Sequence, residues 1–176
     1  GANAVDKVNG FGAYQYNDII KTLQHEGFVV ISECRKPNTD VKAYAAKVVG
    51  QIDSLMKKGV KPGAITVVGA SKGSMIAMNV SSLVKNEKVN YVFMAGCSDY
   101  TLQSFPGLSF CGNILSIYEE SDDMGRSCNT VKSKSTLAVP HYKEIELHTG
   151  LRHGFLYKPL PEWIKPVAAW GNGKYE

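Results

Sequence analysis

The sequence predicts an α/β protein in which helices cover both faces of a mostly parallel sheet. Three observations predict it. Short apolar runs rich in β-branched and aromatic residues (Phe28 to Ser32, Ile65 to Val68, Asn90 to Gly96, Ile114 to Tyr118) have the length and continuity of strands buried on both faces. Longer stretches between them carry apolar residues at spacings of three and four, which is the pattern of a helix with one buried face. The two kinds of segment alternate along most of the chain, as they do in proteins built on a parallel sheet.

In chain order, Ala4 to Val8 is an apolar fragment too short to specify a strand, followed by the turn Asn9-Gly10-Phe11-Gly12. Tyr16, Ile19, Ile20 and Leu23 mark a helix over 14–25 that Gly27 ends, and the apolar run at Phe28 follows as a buried strand. The polar loop from Arg35 contains Pro37 and closes on Thr39 and Asp40, either of which can cap the next helix. That helix runs over 41–58, with Tyr44, Ala45, Val48, Ile52, Leu55 and Met56 on its inner stripe, and stops at Gly59. A strand at 65–68, a turn at 69–73 and a helix from about Lys72 to Lys85 come next. After the strand at 90–96, residues 97–112 read as a loop. The segment 119–126 is acidic, and a short helix is expected within 127–137. Lys143 to Leu147 alternates polar and apolar residues, as an edge strand does, and Leu160 to Trp170 forms a terminal helix that starts near Pro161 and is disturbed at Pro166.

The 176 residues fit one domain spanning 1–176, with no internal repeat and no linker. Hydrophobic residues make up 44% and charged residues 20%, the balance of an ordinary globular chain. The formal net charge of +4 is spread over scattered Lys and Arg, so neither a nucleic-acid patch nor a basic membrane patch is expected. No apolar stretch approaches the roughly 18 residues of a membrane span. The opening Gly1-Ala2-Asn3-Ala4 lacks an initiator Met and suggests a processed N-terminus, which hints at export to a periplasmic or extracellular space, with the cytoplasm as the alternative. Cys34, Cys97, Cys111 and Cys128 form no C-x-x-C pair, so neither a zinc site nor a redox motif is expected. If one disulfide forms, Cys97 with Cys128 is the favoured pair, since both fall in loops at one end of neighbouring strands.

Gly69-Ala70-Ser71-Lys72-Gly73 has the form G-x-S-x-G between a strand and a helix, a turn that raises a serine hydroxyl above a sheet. Serine is a weak nucleophile at its own pKa, so it needs a base, and the base needs a carboxylate to fix its tautomer. Acidic and imidazole groups follow at later strand ends: Asp122 and Asp123, then His153. No G-x-G-x-x-G or G-x-x-x-x-G-K-[ST] follows any strand, which argues against a nucleotide-binding sheet.

On GASKG at 69–73, IYEESD at 117–122 and RHGF at 152–155, over residues 10 to 170, the chain resembles the α/β-hydrolase family, in particular its small capless esterase-like and dienelactone-hydrolase-like members. The resemblance implies a three-layer α/β/α sandwich, a reduced form of that fold with about six strands. It implies Ser71 as nucleophile, His153 as base and Asp122 as acid, with Asp123 and then Asp99 as alternative acids. His148 reads as a structural histidine, and Glu119 and Glu120 as solvated rim charges. The backbone N–H of Lys72 would line the oxyanion hole. A second donor often comes from a His-Gly turn that this chain lacks, and Phe11, between Gly10 and Gly12, is the nearest equivalent. No cofactor or metal is implied. The expected activity is hydrolysis of a small-molecule acyl ester or thioester at an open site bordered by Tyr100, Phe105 and Tyr157; the alternative is a binding or scaffold protein of the same fold without turnover.

Overall fold

A computed structural model describes residues 4–176; Gly1-Ala2-Asn3, the larger part of the stretch that suggests processing, lies outside the described residues. The chain folds in the order β1 (Val5–Asp6), β2 (Gly12–Ala13), α1 (Tyr16–His25), α2 (Val41–Lys57), β3 (Thr66–Ala70), α3 (Lys72–Val84), β4 (Asn90–Met94), α4 (Asp99–Ser104), β5 (Asn113–Glu119), α5 (Asn129–Lys134), β6 (Tyr142–Leu147) and α6 (Pro161–Gly171), with 3-10 segments at Pro62–Ala64 and Arg152–Tyr157.

Four strands form one parallel sheet in the order β3-β4-β5-β6. Side chains alternate across it as the pleat requires. Tyr91, Phe93 and Ile114 enter one core with Ala45 and Ile52 of α2 and Ile76, Ala77 and Val80 of α3. Val92, Met94, Leu115 and Ile117 enter the other with Ile19 and Leu23 of α1 and Trp163, Ile164 and Val167 of α6. These two cores make three layers. The register Ala70↔Met94↔Ile117↔Ile145 aligns the strands' carboxyl ends, so the segments after β3, β5 and β6 leave the sheet at the same edge.

The parallel sheet holds four strands among the described residues, not the expected six or so, and two further strands form a separate antiparallel ribbon, β1 with β2. The ribbon takes in the short N-terminal apolar fragment, whereas Phe28 to Ser32 is not a strand. It has apolar composition but no ladder, since β3 is the edge of the sheet and bonds only β4. A strand exists only where its backbone groups find a neighbour. Val30 packs into the α1–α6 core, while Val29 is 95% exposed.

Elsewhere the elements follow local chemistry. Asp40, not Thr39, caps α2, its carboxylate accepting the Ala43 N–H at 2.7 Å. β6 is an edge strand as expected, and α6 continues through Pro166. The loop after β4 holds a six-residue helix, α4, with Ser98 as its cap. Cys97 and Cys128 form a disulfide, and Arg126 N–H donates to the Cys97 carbonyl at 2.8 Å. The segment after β5 is thereby tied to the end of β4 at two points. Cys111 is a buried thiol and Cys34 an exposed one.

Candidate active site

Ser71 stands where β3 turns into α3, half-buried, with φ 52° and ψ −120°. A non-glycine residue at positive φ is strained, and such strain persists only where the surroundings impose it. They do so here: the Ser71 N–H donates to the Met94 carbonyl at 2.9 Å, and the Ser71 carbonyl accepts from Ser74 and Met75 N–H. A Cβ on Gly69 would lie 2.2 Å from the Gly73 carbonyl oxygen, so that close crossing of strand and helix admits only glycine at 69. At Gly73 a Cβ would meet only the Arg35 side chain, at 3.5 Å, so its role is weaker than the motif implies. The Lys72 N–H lies in the first turn of α3, where no intrahelical acceptor exists.

After β5 the chain turns so that Asp122 N–H donates to the Glu119 carbonyl at 3.0 Å and Asp122 Oδ1 accepts the Met124 N–H at 2.9 Å. Oδ2 is thereby left for another donor. It lies 2.7 Å from His153 Nδ1, and both residues are buried, at 7% and 6% exposure. His153 follows Arg152, whose φ of 53° is positive for a non-glycine residue, like those of Ser71 and of Ala95 just after β4.

The other candidate acids go elsewhere. Asp123 is exposed and pairs with the Arg152 guanidinium at 2.7 Å, and Asp99 is exposed in the first turn of α4. His148 pairs with Glu120 at 2.7 Å on the surface. That hydrogen bond pushes the imidazole above its ordinary value. Glu120, Glu146 and His148 bring ligand atoms within 4.8 Å of one another, the one such cluster among the described residues, and it is exposed and already ion-paired.

Phe11 lies in the β1–β2 turn with its ring centroid 6.4 Å from that of His153 and 5.5 Å from that of Tyr157. A Cβ on Gly154 would stand 2.9 Å from the Phe11 ring, so the ribbon packs directly on the residue after His153. Of the three aromatics expected at the rim, Tyr157 joins this cluster, Phe105 packs against the α2–α3 core, and Tyr100 is 66% exposed.

Glu119 corrects the sequence reading, being 1% exposed and not a rim charge. Its Oε2 accepts from Thr149 N–H at 3.0 Å and Thr149 Oγ1 at 2.7 Å, and its Oε1 from Ser121 Oγ at 2.9 Å and Gly150 N–H at 3.2 Å. Burial pushes this carboxyl up, but the hydrogen bonds from Thr149, Ser121 and Gly150 outweigh it and hold the group below its ordinary 4.5. A signal for this is present in the sequence. The period of two that buries Leu115 and Ile117 on one face, carried one step further, buries Glu119 on that face.

No helix among the described residues is long and apolar enough to cross a membrane. No family model matches the chain, and no curated protein matches it. Among solved structures, a point variant of SOBER1 from Arabidopsis thaliana is similar, with 14% identity, a TM-score of 0.55, and coverage of 81% of this chain and 68% of that one. At that identity the likeness is one of fold alone, a parallel sheet flanked by helices.

Proposed function

We propose that the protein is a serine hydrolase that cleaves a small or extended carboxylic ester or thioester through an acyl-enzyme on Ser71. The observation that carries the reading is the buried His153 Nδ1 to Asp122 Oδ2 contact of 2.7 Å. A buried carboxylate at Nδ1 holds the ring proton there, which leaves Nε2 as a free base. The strained serine at the carboxyl end of a parallel sheet supports it further, because strand ends are where open α/β sheets bind ligands.

In this mechanism Ser71 Oγ attacks the carbonyl carbon as its proton passes to His153 Nε2, and Asp122 stabilises the imidazolium. The carbonyl oxygen becomes an oxyanion at the start of α3, where the Lys72 N–H donates to it, with the Phe11 N–H as the second donor. Collapse expels the alcohol or thiol, which takes the proton from His153. Water then attacks the acyl-Ser71 ester with His153 again as base, and the carboxylic acid leaves. Labelling by a fluorophosphonate probe, read by mass spectrometry, is expected at Ser71, together with hydrolysis of short p-nitrophenyl esters that Ser71→Ala abolishes. No labelling, and the same hydrolysis in Ser71→Ala as in the parent, would sink the reading and favour a binding protein of this fold.

A further inference from the structure

Glu119 is a buried carboxylate whose described partners include no cation; its charge is met by hydroxyls and backbone amides. Those donors come from two segments. Ser121 belongs to the turn that carries Asp122, and Thr149 and Gly150 belong to the turn that leads to His153. The two turns also meet directly, since Ser121 Oγ, which donates to Glu119, accepts the Arg152 N–H at 3.1 Å. Thr149 Oγ1, which donates to Oε2, accepts the Leu151 N–H at 3.2 Å. One carboxylate therefore gathers the backbone immediately before Asp122 and that two to four residues before His153. A charged acceptor forms roughly twice as strong a hydrogen bond as a neutral one, and an apolar or amide replacement would leave buried N–H groups unpaired.

We propose that Glu119 is a positioning residue, a buried anion that locks the two turns together so that the His153 ring meets Asp122 in the Nδ1–H tautomer. The catalytic part of this proposal rests on the hydrolase reading; the geometric part does not. Glu119→Gln is nearly isosteric, but it turns one acceptor into an NH2 group facing N–H donors. Misplacement of a reacting group by about 1 Å costs roughly 10²-fold in rate.

The test is ring 15N NMR of His153 in the parent, Glu119→Gln and the double variant Ser121→Ala/Thr149→Val, each first shown to be folded by circular dichroism. The parent is expected to hold the Nδ1–H tautomer and both variants to show a mixture. Alongside it, kcat for an ester substrate is expected to fall by about 10- to 100-fold with KM changed less than about threefold. The double variant should add little to Glu119→Gln when the changes are combined, because all three residues serve one contact. An unchanged tautomer in Glu119→Gln overturns the proposal; should Glu119→Gln fail to fold, an unchanged tautomer in the double variant overturns it equally. A parent without Ser71-dependent hydrolysis would overturn the hydrolase reading alone, since the tautomer measurement needs no turnover.

Discussion

A Cβ at residue 69 would stand 2.2 Å from the carbonyl oxygen of Gly73, and 2.7 Å from the Ser74 nitrogen. Both obstacles are backbone, so relief requires β3 or α3 to move. Gly69→Ala is expected to lower the free energy of unfolding by about 2–3 kcal/mol, the upper range for overpacking. Gly73→Ala, which meets only a mobile guanidinium, should cost under ~1 kcal/mol. Urea titration of the two variants checks the contrast.

The neighbours of the three candidate acids predict different outcomes in an activity assay. Asp122→Asn removes the acceptor at Nδ1 and should lower kcat by roughly 10⁴-fold, as loss of the corresponding carboxylate does in a serine-histidine-aspartate triad. Asp123→Asn and Asp99→Asn alter exposed groups and should leave kcat within about threefold. A larger loss in Asp123→Asn than in Asp122→Asn would reassign the acid.

Reduction of the Cys97–Cys128 bridge releases a loop with a sequence separation of 31 residues. On the chain-entropy account such a loop is worth about 3–4 kcal/mol. The variant Cys97→Ser/Cys128→Ser should show that drop in urea unfolding. Its Asp122 segment would keep its bonds to Glu119 but lose one of its two ties to the end of β4. Equal stability of parent and variant would count against a formed bridge.

Acid should destabilise the protein partly through Glu119. Its folded carboxyl lies below the ordinary 4.5, so its contribution to stability is present above that value and is lost as pH falls through the lower, folded value. Thermal unfolding of Glu119→Gln against the parent, from about pH 7 to about pH 3, should therefore show a large gap at neutral pH that narrows on acidification. A gap independent of pH would contradict a carboxylate held charged by its donors.

Local periodicity carries a large part of this fold, and that part is legible in the residues themselves. Helical spacing places α1, α2 and α3, unbroken apolar runs place β4 and β5, and the Gly69–Gly73 pattern places the serine at a strand-to-helix turn. That a serine, then an acidic pair, then a histidine follow successive strands is readable from their positions in the chain. The remaining questions turn on neighbours distant in the chain, and only folding answers them. Phe28 to Ser32 has a strand's composition, yet no strand bonds its backbone. Asp122 and Asp123 are equal in composition and adjacent in sequence, and only the packing of the turn sends one to His153 and the other to Arg152. Glu119 looks like a surface charge until residues about 30 positions away supply the amides and hydroxyls that let a carboxylate be buried, because desolvation is offset only by donors that folding brings together.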